Sequence, residues 1–228
     1  MQHLACIMDG NRRWAKKNSL RPWLGHRKGA ESIREVIKFC LNNNIHYLSL
    51  FTFSIENFNR SKQECTYLFN LITQEAQNHL GEFIQNGIRV RFIGNRALFP
   101  ESTKSIIEQL EHKTEQNTQL NVNFLFCYGA RQEIIDAIKM VVRKVKAGLL
   151  AEDEISEASF FDYLWTRGVP EPDLIIRTGG AVRLSNFLLY QSAYSEFYFL
   201  DCLWPDISQV HLQKALGYFN DCKRNFGS

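Results

Sequence analysis

The sequence predicts an α/β fold: a single domain with a mainly parallel six-stranded sheet flanked by helices. Three observations carry that prediction. Six short apolar runs, near residues 4, 45, 88, 120, 174 and 197, are almost all separated by helical stretches long enough to be right-handed crossovers. The run from Ile45 to Phe53 is apolar enough to be buried on both faces, as parallel strands covered by helices are. Finally, 45% of the 228 residues are hydrophobic with no Pro/Gly/Ser-rich break, so one core spanning residues 1–228 is expected.

The first run, from Leu4, reads as a strand that empties into Asp9-Gly10-Asn11 and a basic helix start. Asp9 is followed by Arg12, Arg13, Lys16, Lys17, Arg21, Arg27 and Lys28 with no further acid between them. A helix N-terminus offers unpaired amides and a positive dipole end, so this turn suits a phosphate. Gly10 lets the backbone come close, and a lone carboxylate at a strand end can hold a metal. The alternative is that Asp9 or Asn11 only caps the helix and the lysines form a solvated face. Both readings stand on the local sequence.

From Lys28 to Leu41, Ile33, Val36, Ile37, Cys40 and Leu41 fall at helical spacing, and three asparagines end the pattern. After the Ile45 strand, Ser54 to Ser61 is a polar loop at a strand's carboxyl end, where open α/β sheets place ligands. Ser61 with Glu64 then reads as a capping box for a long helix carrying the stripe Leu68, Leu71, Ile72, Ala76, Leu80, Phe83 and Ile84. Ile88 to Phe92 alternates as a strand, and Pro100 opens a helix. Leu120 to Cys127 is another strand. Arg131 to Ala147 is a helix with Ile134, Ile135, Ile138, Val141, Val142 and Val145 in one stripe, and a shorter helix covers Ser156 to Trp165.

The brief strand Leu174 to Ile176 empties into Arg177-Thr178-Gly179-Gly180-Ala181-Val182-Arg183-Leu184-Ser185. A short helix from Ser185, a strand near Phe197 to Leu200, the turn Trp204-Pro205-Asp206 and a helix from Ser208 to about Lys223 follow. Arg177 and Arg183 bracket a Gly-Gly turn, and two guanidinium forks with loop amides can clamp a diphosphate. Alternatively one arginine pairs with an acid and the glycines merely turn the chain. The Asp9 turn, the Ser54 loop and the Arg177 turn all follow strands, so a parallel sheet brings them to one edge.

Other classes are disfavoured. There is no Walker pattern and no Gly-x-Gly-x-x-Gly. A net charge of +3 is too small for a general polyanion binder, and no RNA-binding module accompanies Trp14 and Trp23, so no nucleic acid is expected. His26 in its basic context can donate to a phosphate, although a lone histidine is more often structural. Six scattered cysteines read as buried thiols of a reducing compartment. No run reaches a membrane span, and a strand from Leu4 leaves no room for a signal peptide, so a cytoplasmic or peripheral membrane location is expected.

Several long motifs stand in sequence: His3 with Ile7-Met8-Asp9-Gly10-Asn11-x-Arg13-Trp14-Ala15; Gly25-His26 before Gly29-Ala30; Phe53-Ser54-x-Glu56-Asn57-x-x-Arg60 before Glu64; Arg177-Thr178 with Arg183 to Leu189; and Leu203 to Asp206. In these the chain resembles, over nearly its whole length, the cis-prenyltransferases, bacterial undecaprenyl diphosphate synthases (isoprenyl transferases) above all. The resemblance implies a Mg²⁺-dependent homodimer that repeatedly condenses isopentenyl diphosphate onto an allylic diphosphate such as farnesyl diphosphate. The product would be a long-chain polyprenyl diphosphate such as undecaprenyl diphosphate, the lipid-carrier precursor for cell-wall synthesis.

By matching position, Asp9 would hold Mg²⁺ and help the allylic diphosphate leave, with Gly10, Asn11, Arg13 and His26 around that group and Arg12 and Trp14 adjoining. Arg177, Arg183 and Ser185 would bind isopentenyl diphosphate, and Glu196 would aid its metal shell. Asn57, with a catalytic part, would close over substrate with Phe58, Arg60 and Glu64, with Ser54 nearby. Arg224-Asn225-Phe226-Gly227 looks like the family's C-terminal Arg-x-Phe-Gly, which would complete the partner subunit's site.

The implied chemistry breaks an allylic C–O bond toward a carbocation, so the protein must stabilise diphosphate charge rather than supply a nucleophile. Each added five-carbon unit gains roughly 4 kcal/mol by leaving water, at ~0.8 kcal/mol per buried carbon, so an apolar tunnel is needed. Leu68, Leu71, Ile72 and the Leu120 to Phe126 strand are candidate walls. The sequence departs from the family at Arg12, where Gly is usual, at Ala181 and Val182, which replace Glu and an often polar residue, at Arg21, one position farther from Gly25-His26, and at Phe58 for Trp. A non-catalytic partner subunit of a heteromeric cis-prenyltransferase is the alternative, although such subunits typically lose the Asp-Gly-Asn turn.

Overall fold

The computed structural model describes residues 1–223. Its elements in chain order are β1 (His3–Ile7), α1 (Asn11–Lys17), α2 (Leu24–Asn42), β2 (Tyr47–Ser54), α3 (Lys62–Gln85), β3 (Ile88–Ile93), α4 (Glu101–Thr114), β4 (Leu120–Tyr128), α5 (Ala130–Lys146), α6 (Glu157–Phe161), β5 (Leu174–Arg177), β6 (Glu196–Phe199) and α7 (Gln209–Asp221). The six strands form one sheet in the order β3-β4-β2-β1-β5-β6. Every pairing between neighbours is parallel.

Alternation along the strands divides the core. Leu4 and Cys6 point into a large cluster with Val36, Phe39, Leu68, Ile107 and Leu212. Ala5 and Ile7 point the other way, into a smaller cluster with Leu125, Tyr128, Val169, Phe187 and Leu188. Helices α2, α3, α4 and α7 thus cover one face, while the other is closed by the start of α5 and by irregular chain around residues 164–169 and 184–188. The outer stripe of α5 stays uncovered: Ile135, Ile138, Val142 and Val145 are exposed, and only Val141 of the expected apolar stripe is buried.

Two expected helices change. No helix starts at Ser185, because Ser185, Asn186 and Leu188 hold φ of 54°, 66° and 41°, a left-handed conformation that cannot propagate a right-handed helix. The helix expected over Ser156 to Trp165 is confined to α6, after which the chain runs in turns.

Candidate active site

The order of the sheet fixes where a site can form. The chain runs from β1 through β2, β3 and β4 on one side of β1, then returns to place β5 on the other. Loops leaving neighbouring strands at such a reversal diverge and leave a crevice at the carboxyl edge. Asp9 leaves β1 and the Arg177 turn leaves β5 at that point.

Arg177 is almost fully buried, and its guanidinium is spent on three partners. It donates to Asp9 Oδ2 (2.9 Å), to the Arg183 carbonyl (2.6 Å) and to Ser185 Oγ (2.9 Å). Its Nε is buried without a protein partner. The other Asp9 oxygen takes Arg13 Nη2 at 3.2 Å, and Arg13 Nη1 donates to the Gly179 carbonyl at 2.8 Å. The Asp9 backbone is fixed as well, since its carbonyl accepts from Thr178 Oγ1 (2.7 Å) and Trp204 N (3.0 Å). Two glycines make this approach possible. Gly10 has φ +114° and a Cβ there would lie 2.9 Å from Leu203; Gly179 has φ +85° and a Cβ would lie 2.3 Å from Arg13 Nη2.

Asp9, Arg13, Arg177 and Ser185 are thus brought together, with one carboxylate between two guanidinium groups. Such a set suits Mg²⁺, which binds one or two carboxylates and takes its other ligands from phosphate oxygens and water. Glu196 does not join it. Glu196 pairs with Leu174 at the start of β5, whereas Ile7, two residues before Asp9, pairs with Arg177 at the end of β5. Three residues of strand at ~3.3 Å each carry Glu196 roughly 10 Å toward the opposite sheet edge. Within one chain this register sets Glu196, expected to aid the metal shell of isopentenyl diphosphate, apart from Asp9, and no cluster of three His, Cys, Asp or Glu suited to a metal occurs among the described residues.

A second cationic group lies on the α2–α3 side. Ser61 caps α3 by accepting from Glu64 N (3.3 Å), but the Glu64 carboxylate does not fold back to complete the expected box. It takes Arg60 Nη1 at 3.0 Å and lies 3.8 Å from Arg12 Nε and 3.7 Å from His26 Nε2. Burial, then Arg60 and Arg12, push the His26 pKa down to about 3. The ring is neutral, with Nε2 accepting from Arg60 at 3.4 Å. Asn57 accepts the Ser54 amide (3.1 Å), and the Phe58 ring packs edge-on against Phe53. Trp14 donates to Asp206 Oδ1 (2.7 Å), tying α1 to the Trp204–Asp206 turn. Arg183 and Ser185 lie exposed on the rim.

Asn11, His26, Asn57 and Arg60 also line a cavity of about 180 Å³ between the sheet and helices α2 and α3. Leu68, Leu71 and Ile72 are among its walls as expected, but of the Leu120 to Phe126 strand only Phe124 reaches it. Asn11 Oδ1 is buried there without a protein partner. Thr178 and the Trp204 amide, which orient Asp9, were not singled out by sequence; only their place in quoted motifs pointed to them. The Arg224 to Gly227 motif lies outside the described residues.

Comparison with known proteins agrees along the whole chain. The family model described as putative undecaprenyl diphosphate synthase matches residues 7–227. An isoprenyl transferase of Clostridium perfringens is 44% identical over 226 residues, covering 99% of this chain and 89% of the relative. A tritrans,polycis-undecaprenyl-diphosphate synthase (geranylgeranyl-diphosphate specific) of Thermococcus kodakarensis is 39% identical, covering 99% and 86%. Among solved structures, lavandulyl diphosphate synthase from Lavandula x intermedia, in complex with dimethylallyl diphosphate, superposes with a TM-score of 0.96 at 33% identity, over 100% of this chain and 98% of that one. A probable undecaprenyl diphosphate synthase from Campylobacter jejuni gives 0.82 at 33% identity, over 100% and 99%.

Proposed function

We propose, since the chain belongs to the undecaprenyl diphosphate synthase family and is a prenyltransferase, that it condenses isopentenyl diphosphate repeatedly onto farnesyl diphosphate to give a long-chain cis-polyprenyl diphosphate. The observation that carries this reading is the Asp9–Arg177 pair at the sheet's reversal, beside a mainly apolar cavity.

Arg177 and Ser185, already bonded to each other, would hold the isopentenyl diphosphate together with the exposed Arg183 guanidinium. The Arg177 Nε offers that ligand an unspent donor. Gly10 and Asn11 at the start of α1, with Arg13 and the neutral His26, would hold the allylic diphosphate and take up its charge as the C–O bond breaks. Asp9 would hold Mg²⁺, and such an ion would supply charge neutralisation at a leaving diphosphate. Asn57, Phe58 and Arg60 would close the mouth against water, and the hydrocarbon would extend along α3 past Leu68, Leu71 and Ile72.

The exposed apolar stripe of α5 supports assembly as a homodimer, since Ile135, Ile138, Val142 and Val145 would otherwise face water. No helix among the described residues is long and apolar enough to cross a membrane. We place the reaction in the cytoplasm, where the described cysteines would stay as free thiols, with peripheral contact at the inner membrane face for release of so apolar a product.

The test is incorporation of labelled isopentenyl diphosphate by the purified chain with farnesyl diphosphate and Mg²⁺, with product length read by mass. Asp9→Ala should abolish it while leaving the fold intact. A folded parent chain that incorporates nothing on its own defeats the proposal and favours a non-catalytic partner subunit.

A further inference from the structure

We infer that Asn186 is a positioning residue that locks the two substrate loops together, an inference that rests on the reaction proposed above. Asn186 follows Ser185 in the Arg177 turn and holds φ +66°, a left-handed conformation that asparagine tolerates better than most residues. Its backbone carbonyl accepts from Ala130 N (2.9 Å) and its Oδ1 from Arg131 N (2.8 Å), so it serves two free amides at the start of α5. That contact fixes which side-chain atom is oxygen. The nitrogen, Nδ2, then donates to Gln132 Oε1 (3.0 Å) and, across the crevice, to Glu56 Oε1 (2.7 Å).

Glu56 lies in the short turn Ile55–Asn59 that also carries Asn57 and Phe58. A path therefore runs from Arg177 by a hydrogen bond to Ser185, along the backbone to the adjacent Asn186, and by a hydrogen bond to Glu56 in the loop over the cavity mouth. One side chain sets the spacing between the group assigned to isopentenyl diphosphate and the loop assigned to closure. A carbon–carbon bond forms only when the reacting atoms are held at ~3 to 3.5 Å, and a misplacement of ~1 Å costs on the order of 100-fold in rate. Asn186 would thus act on turnover more than on binding, because the Arg177, Arg183 and Ser185 groups themselves stay in place.

Asn186→Asp tests this by turning a donor into an acceptor against the Glu56 carboxylate, while Asp still tolerates the backbone and still accepts from Arg131 N. The expected result is a loss in kcat of roughly 10- to 100-fold with KM for isopentenyl diphosphate changed less than about threefold. Glu56→Gln added to Asn186→Asp supplies a new donor and should return kcat to within about threefold of the parent. If Asn186→Asp does not fold, Glu56→Ala cuts the same bond from its exposed end and should give the same kcat loss. Full activity in either single variant overturns the inference, as does a double variant no better than Asn186→Asp, which would reduce Asn186 to a local cap of α5. A parent chain with no turnover fails the reaction assignment itself, a different outcome from an active parent indifferent to Asn186.

Discussion

Glu64 and Glu133 are both buried carboxylates in the first turns of long helices, and they are held in opposite ways. Glu133 is surrounded by neutral, buried donors: Tyr128 OH, Thr166 N and Oγ1 (2.9 Å each) and Gln191 Nε2 (3.0 Å). Burial and the nearby carboxylate raise the Tyr128 pKa well above its usual value, so the phenol remains a donor. Glu64 is surrounded by long cationic chains from other elements, Arg60 and Arg12, whose side chains are 25% and 55% exposed. Donors of the first kind are buried and find no water, and of them Gln191 Nε2 also reaches Thr166 Oγ1 at 2.6 Å. Those of the second kind can re-aim, so Glu133 fastens the fold while Glu64, under the function proposed above, would hold cations ready for a diphosphate.

The sharpest way to break this contrast is Glu133→Ala. Several buried donors would lose their acceptor at ~1 to 3 kcal/mol each, so the unfolding free energy in urea should fall by about 4 kcal/mol or more. A loss below about 1 kcal/mol would put Glu133 in the same class as Glu64.

The Glu64 group also contains a titrating member. Folded His26 protonates only near pH 3, whereas the unfolded side chain does so near 6.5. The unfolded state therefore binds more protons between these values. The contribution is fully present above pH 6.5 and is lost as pH falls, by about 2 kcal/mol at pH 5. Urea unfolding at pH 7 and 5 should show that extra loss in the parent and not in His26→Gln. The buried His3, pushed down to about 4 chiefly by burial, adds an acid sensitivity of the same sign in both.

Glu64→Ala should cost at least about tenfold in turnover, ~1.4 kcal/mol of barrier, while unfolding changes by less than about 1 kcal/mol because the freed arginines reach water. Arg12→Gly is the smallest step. Its guanidinium is mostly exposed and 3.8 Å from Glu64, so stability should move by less than about 0.5 kcal/mol. A larger fall in stability for Arg12→Gly than for Glu64→Ala would overturn the assignment of Glu64 as the shared acceptor.

What could be read in the sequence follows the range of the interactions involved. The strands were legible because Leu4 with Cys6 and Ala5 with Ile7 each need a core, and the three loops at one sheet edge followed from parallel pairing. Glu64 was legible as a cap, because Ser61 lies three residues away, but not as an ion-pair centre, since Arg12 and His26 reach it from α1 and α2. The chain beyond Ser185 looked helical because its residue types allow a helix. Its left-handed backbone is imposed by the hydrogen bonds of Asn186 to α5 and Glu56, which no local pattern records. The distance of Glu196 from Asp9 within a chain was hidden for a related reason: a motif fixes a residue's identity, while strand register decides which edge it reaches. The bare stripe of α5 was likewise invisible, since a periodicity of 3.6 announces an apolar face and not what covers it.

The central position of β1 has a further consequence for how the protein is made. Asp9 waits for a partner 168 positions downstream, and one edge of β1 waits for β5. At ~5 to 20 residues per second of synthesis, the nascent chain carries that unpaired, apolar edge for roughly 10 to 30 s. The strand that seals the edge also delivers Arg177 to Asp9, so completion of the sheet and assembly of the charged crevice are one event. A chain that stalls before β5 therefore holds Asp9 without Arg177, half of the charged crevice beside a strand edge open to aggregation.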